Sequence, residues 1–206
     1  MKSFHTSIPI ILFAILIVAN PSCNVAAPAC CSTNSLAAAS VAPLTDRSIY
    51  QVESTWTSDL GKAMPLSQLR GRFQVITMFF TSCRYACPII VHDMKKIEAG
   101  LAEIGITKPS LVLVTMDTKN DSVARLHEFR QRRSLPDNWL LLRGEPEDTL
   151  ELAVLLGIKF KKEADGQFAH SNIITLLNEQ GEIVHQQLGL NTDPAGLISA
   201  VRNLQK

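Results

Sequence analysis

The chain has 206 residues, 20 of them Lys or Arg and 19 Asp or Glu, giving a formal net charge of +1. So even a balance removes the electrostatic case for a nucleic-acid partner or for adhesion to an acidic lipid surface. Once an export segment is set aside, the length suits one domain with a full hydrophobic core, so any partner must be argued from particular sites.

At the N-terminus, Lys2 and a polar patch precede an apolar run from Ile8 to Ala19. That run is too short for a spanning helix of about 20 residues and has the length of a secretory h-region. Small residues follow (Ala26, Ala27, Ala29), so residues 1–29 read as an export signal or a retained membrane anchor. Cys23 follows Asn20, Pro21 and Ser22, which departs from a lipoprotein signal, and lipidation there is held as an alternative. Cys30 and Cys31 have three readings: extra metal ligands, intermolecular disulfide partners, or no role. Residues 30–45 are small and polar without periodicity and read as a linker, placing the folded domain at 46–206.

Within the domain, Ser48–Val52 and Ser54–Thr57 read as a short hairpin, and Leu66–Leu69 as a turn. Phe73–Phe80 is a buried strand, and from Pro88 the apolar positions Ile89, Ile90, Met94, Ile97 and Leu101 fall at helical spacing. Ser110–Met116 is a second buried strand ending at Asp117. Ser122–Arg133 is an amphipathic helix with Asp121 as its N-cap. Trp139–Leu142 is a third strand and Pro146–Leu156 a helix with acidic residues at its start. The polar stretch Lys161–Gln167 reads as an irregular loop. Strands Asn172–Leu177 and Ile183–Gln187 then form a hairpin, and Pro194–Leu204 a closing helix. This order predicts an α/β fold: a thioredoxin-like three-layer sandwich with a mixed central sheet and an N-terminal β-hairpin extension.

Two cysteines, Cys83 and Cys87, fall at the turn from the first buried strand into its helix. Unpaired N–H groups and the positive end of the helix dipole favour thiolates there, and Arg84 adds positive charge. In helical geometry their i,i+4 spacing puts both sulfurs on one face, close enough to share a metal or close a disulfide. The alternative is a pair of small buried hydrophobes. Soft thiolates select copper, zinc or iron–sulfur, and imidazole suits copper and zinc, so a histidine within reach matters. His5 lies in the export segment. His92, His127 and His185 sit on helix faces or within a strand, where solvated or packed histidines are common. His170 stands where a polar loop gives way to a strand, and would carry an imidazole at a strand edge.

Together, Cys83-x-x-x-Cys87-Pro88 after a strand, the strand ending Val114-Thr115-Met116-Asp117, the helix through Phe129, and Ala169-His170-Ser171 before Asn172 resemble the SCO/SenC family of copper-binding thioredoxin-like proteins. The resemblance covers residues 48 to 206. It implies Cys83 and Cys87 as thiolate ligands and His170 as imidazole ligand of one copper, Cu(I) or Cu(II), with Pro88 shaping the loop and Asp117 in a supporting place near it. It further implies copper delivery to the dinuclear centre of cytochrome c oxidase, or reduction of that centre's cysteines. The implied partners are the oxidase copper-site subunit and other copper chaperones or thiol reductants. The implied location is the periplasm or the outer face of the inner membrane, with membrane association only through the N-terminus. Family members often carry an acidic residue between the cysteines and Asp-Pro after the second strand, whereas this chain has Arg84-Tyr85-Ala86 and Asp117-Thr118. A different class of function is a thiol-disulfide oxidoreductase, with Cys83 attacking and Cys87 resolving. A peroxiredoxin-like peroxidase fits less well, since no proline precedes Thr81-Ser82-Cys83.

Overall fold

A computed structural model describes residues 43–205. The export segment, most of the linker, and Cys23, Cys30 and Cys31 lie outside the described residues. Seven strands form one mixed sheet in the order β2 (Ala63–Pro65), β1 (Thr55–Ser58), β5 (Trp139–Arg143), β4 (Ser110–Thr115), β3 (Gln74–Phe79), β8 (Ile173–Leu177) and β9 (Ile183–Leu188). Its centre is parallel: β3 (Gln74–Phe79), β4 (Ser110–Thr115) and β5 (Trp139–Arg143) run side by side, and β3 and β4 are buried along their whole length. Burial on both faces explains why these strands read as unbroken apolar runs. β8 (Ile173–Leu177) and β9 (Ile183–Leu188) add antiparallel strands beside β3.

The N-terminal hairpin forms one segment later than the sequence suggests. β1 (Thr55–Ser58) pairs with β2 (Ala63–Pro65) and, antiparallel, with β5. Residues 49–51, read as strand, make a 3-10 turn instead. The reason is local: the Ser48 hydroxyl accepts from the Tyr50 N–H at 3.1 Å and donates to the Gln180 carbonyl, so the backbone is held in a turn.

Four helices cover the sheet: α1 (Ala86–Glu103), α2 (Val123–Arg133), α3 (Pro146–Leu155) and α4 (Ala195–Leu204). α1 lies between α4, whose Ile198 fills the space over Gly100, and α2, whose Arg133 carbonyl accepts from Lys95 at 2.9 Å. On β9, His185 faces Gly196 of α4, while the next residue, Gln186, donates to the Leu156 carbonyl at the end of α3. Successive strand residues point to opposite faces, so α3 lies on the other side of the sheet and the sandwich has three layers. The core runs through all of them, from Val75, Ile76 and Met78 to Met94, Leu113, Leu152 and Leu197.

Candidate metal and dithiol centre

The C-terminal ends of parallel strands are where open α/β sheets place their sites, because loops there diverge and helix N-termini converge. β3 delivers Cys83 and Cys87 to that end, and β4 delivers Asp117. The turn after β3 is fixed by a side chain of the neighbouring loop. Asp121, fully buried, accepts from the Thr81 N–H at 2.9 Å, the Thr81 hydroxyl at 2.5 Å and the Thr115 hydroxyl at 2.5 Å. Asp121 is therefore not the N-cap of α2 that the sequence suggests. Ser122 fills that position, accepting from the Arg125 N–H at 3.3 Å. A buried carboxylate needs several donors, and the cysteine turn supplies two of them.

α1 begins at Ala86, so Cys87 and Pro88 occupy its first turn, where a missing N–H costs nothing. The Cys87 N–H donates to the Cys83 sulfur at 3.2 Å. Cys83 is half-buried and Cys87 buried, and neither is in a disulfide. The two titrate apart. The Cys87 thiol, donating to Cys83, is the largest cause that draws the Cys83 pKa down to about 4. A hydrogen bond from His170 and the N–H groups of Cys87 and Tyr85 act the same way, against burial. Cys87 moves far upward because its proton is held by Cys83, because it is buried, and because a second thiolate beside the first is repelled. The pair holds one proton between two sulfurs.

The stretch 161–167, read as irregular, is largely a hairpin. β6 (Phe160–Lys162) and β7 (Phe168–His170) pair antiparallel in a separate two-stranded sheet. β7 carries His170 over the dithiol. Its Phe168 ring packs on Phe80 at 5.1 Å, and His170 stands edge-on to the same ring at 6.0 Å. Lys162 of β6 reaches the Asp117 carboxylate at 3.3 Å and lies over the Phe168 ring at 5.1 Å. Asp117 also accepts from the Asn120 amide at 2.8 Å. The structure thus gives Asp117 the work of holding the hairpin, and it is not among the clustered donors.

Those donors are Cys83, Cys87 and His170, whose ligand atoms all lie within 4.8 Å of one another. His92 is exposed on α1, His127 stands 3.8 Å from Asp59, and His185 faces α4. No other such group of three metal-ligating side chains occurs among the described residues. Metal–donor bonds of about 2.0–2.3 Å put two donors on one ion roughly 4 Å apart, so the cluster needs only a small contraction to close on a metal.

A thioredoxin-like sandwich with a dithiol at the turn after β3 and an imidazole brought over it by a separate hairpin defines a metal- or redox-handling class. The SCO1/SenC family model matches residues 44–206, and the chain belongs to that family. Among similar solved structures is Arabidopsis thaliana ScoI with copper bound, 21% identical, TM-score 0.66, covering 73% of this chain and 96% of that one. A SCO1/SenC family lipoprotein from Bacillus anthracis is 24% identical, TM-score 0.68, covering 74% of this chain and 92% of that one. BsSco, a member of the Sco family of cytochrome c oxidase assembly proteins in which a disulfide switch has been identified, is 25% identical, TM-score 0.63, with 73% and 90% coverage.

Proposed function

We propose that this protein is an exported copper chaperone that holds one copper on Cys83, Cys87 and His170 and delivers it to the dinuclear copper centre of cytochrome c oxidase. The observation that carries the reading is the convergence of two sulfurs and one imidazole within 4.8 Å at a half-exposed position. The donor set is soft, as Cu(I) requires, and three ligands leave a position for an incoming thiolate. The tautomer of His170 suits a ligand, because Nδ1 lies 3.1 Å from the Ser171 carbonyl, which can only accept, and so Nδ1 carries a proton. Nε2 is then left with a lone pair for a metal in the neutral ring, or with a proton for the Cys83 thiolate in the imidazolium. The copper-bound relatives support copper as the cargo. In this reading residues 1–29 direct export or anchor the chain on the outer face of the inner membrane, and residues 46–206 are the working domain.

The decisive measurement is copper retained after reduction and desalting. Wild type is expected to keep one copper per chain, and His170→Ala to lose most of it. Wild type that keeps none would sink the chaperone reading.

A second reading is favoured by the split titration of the pair. An accessible thiolate at Cys83 backed by a buried thiol at Cys87 is the arrangement of an attacking and a resolving cysteine. In that role the protein reduces client disulfides, and His170→Ala leaves most of the exchange intact.

A further inference from the structure

The hairpin that carries His170 has a free edge facing the dithiol. β7 pairs with β6 alone among the described strands. At either end of the pair, the Glu163 N–H donates to the Gln167 carbonyl and the Ser171 N–H to the Lys159 carbonyl. Hydrogen-bonded pairs alternate along an antiparallel ladder, so Lys161 and Ala169 bond each other, while the backbone groups of Phe168 and His170 point away from β6. A cleft of about 390 Å³ opens on that side, lined by Phe80, Cys83, Tyr85, Asp165, Phe168 and His170 among others, with no residue of β6 in its wall. Its floor is aromatic, and Tyr85 on its far lip is 81% exposed. Arg84, next to Tyr85 in the chain but outside the cleft wall, is exposed and forms no ion pair among the described residues.

We propose that this cleft is a docking groove in which a segment of the client lies extended as a third strand along β7, with a cysteine over Cys83 and an acidic residue near Arg84. The proposal rests on the reading above that Cys83 exchanges ligands or sulfur with a client, and it adds how that client is held. An unpaired strand edge is a template for an incoming chain, main-chain bonds giving affinity and alternate side chains giving specificity. Residues two apart in the added strand face the same way as Phe168 and His170. The segment therefore has an apolar residue two positions from its cysteine, resting on the aromatic floor. The unpaired Arg84 guanidinium selects an acidic neighbour, since a basic one would be repelled at close range.

The experiment needs no copper, so it fails independently of the metal site. The probe is a short valine- and threonine-rich peptide with one cysteine and one glutamate, supplied as its mixed disulfide with thionitrobenzoate. The Cys83 thiolate attacks the peptide sulfur, a Cys83–peptide disulfide forms, and the sulfur–thionitrobenzoate bond breaks, its electron pair leaving on the coloured thiolate. Cys87 then loses its proton to solvent and attacks Cys83, releasing the reduced peptide. The comparison peptides carry N-methyl groups on the strand-pairing amides, or lysine in place of glutamate. The unmodified peptide is expected to react about tenfold faster than the N-methylated one, the effect of about 1.4 kcal/mol. A serine analogue of the unmodified peptide is expected to slow hydrogen exchange at the Phe168 and His170 amides. In Arg84→Glu the preference for glutamate over lysine is expected to reverse. Equal rates for the unmodified and N-methylated peptides, with unchanged exchange at Phe168 and His170, would overturn the groove. A glutamate preference that survives in Arg84→Glu would overturn the role of Arg84.

Discussion

Cys83 and Cys87 are the same residue type four positions apart, and their surroundings drive their acidities in opposite directions. Cys83 receives hydrogen bonds from the Cys87 thiol, from His170 and from two backbone N–H groups, and its pKa falls to about 4. Cys87 gives its proton to that arrangement and is buried, so it stays protonated. Alkylation at pH 6 is therefore expected to modify Cys83 readily, where an ordinary cysteine with a pKa of about 8.5 is nearly inert. Cys87→Ala removes the largest cause and should raise the onset of alkylation most, with His170→Ala raising it less. Measuring rate against pH in the three proteins checks the order, and equal profiles would contradict the assignment. The effect on stability follows from the direction of the shift. Because the folded-state pKa lies below the ordinary value, the stabilising contribution is present above the ordinary pKa and is lost as pH falls through about 4. The urea-midpoint difference between wild type and Cys83→Ser should accordingly shrink on acidification. Metal binding must also displace the shared proton, so copper retention should strengthen as pH rises.

One element, the β6–β7 hairpin, decides whether the dithiol has an imidazole above it. Little of the hairpin's own surface is buried. It is held to the rest of the fold by Phe168 on Phe80 and by the Lys162–Asp117 ion pair. The ion pair joins a half-exposed lysine to a buried carboxylate, and such pairs contribute about 1 kcal/mol or less. Phe168 is the stronger tie, worth about 1–2 kcal/mol for partial burial of an aromatic ring. Phe168→Ala is therefore expected to speed amide exchange at Lys161 and Ala169 about tenfold and to weaken copper retention, while Cys87 still lowers the Cys83 pKa. The hairpin is also the element least legible in the sequence. Lys161, Lys162, Glu163 and Asp165 give a strand pattern no apolar alternation, and three-residue strands fall below what periodicity can show. The cysteine turn and the long buried strands are legible because composition, length and a following proline agree. Asp121 misleads for the opposite reason. An aspartate before a helix looks like a cap, and nothing local reveals that Thr81 in the turn after β3 and Thr115 at the end of β4 claim it.

At the scale of the whole molecule, the site and the fold's stability are anchored in different places. The cysteines follow directly on β3, while β1 sits three strands away at the other side of the sheet. Just after β1, Asp59 is buried and accepts from Arg130 of α2 twice, at 2.5 and 2.9 Å. The same guanidinium donates to the Pro136 and Trp139 carbonyls at 2.8 and 2.6 Å, so one side chain ties the N-terminal hairpin, α2 and β5 together. Removing one partner of such a pair leaves a charge without its counterion inside the fold, a loss of about 3–5 kcal/mol. Asp59→Ala is therefore expected to lower Tm by on the order of 10 °C, since each kcal/mol shifts a domain of this size by about 2–4 °C. At room temperature the folded fraction should still retain copper as wild type does, because neither Asp59 nor Arg130 touches the cluster. Phe168→Ala should behave in the reverse way, with a smaller fall in Tm, by about 2–8 °C for a loss of about 1–2 kcal/mol, and poor copper retention. Thermal melts and metal analysis on the two variants side by side test this separation. If both quantities fell together in Asp59→Ala well below its Tm, the far edge of the sheet would be coupled to the dithiol, and the division drawn from the contacts would be wrong.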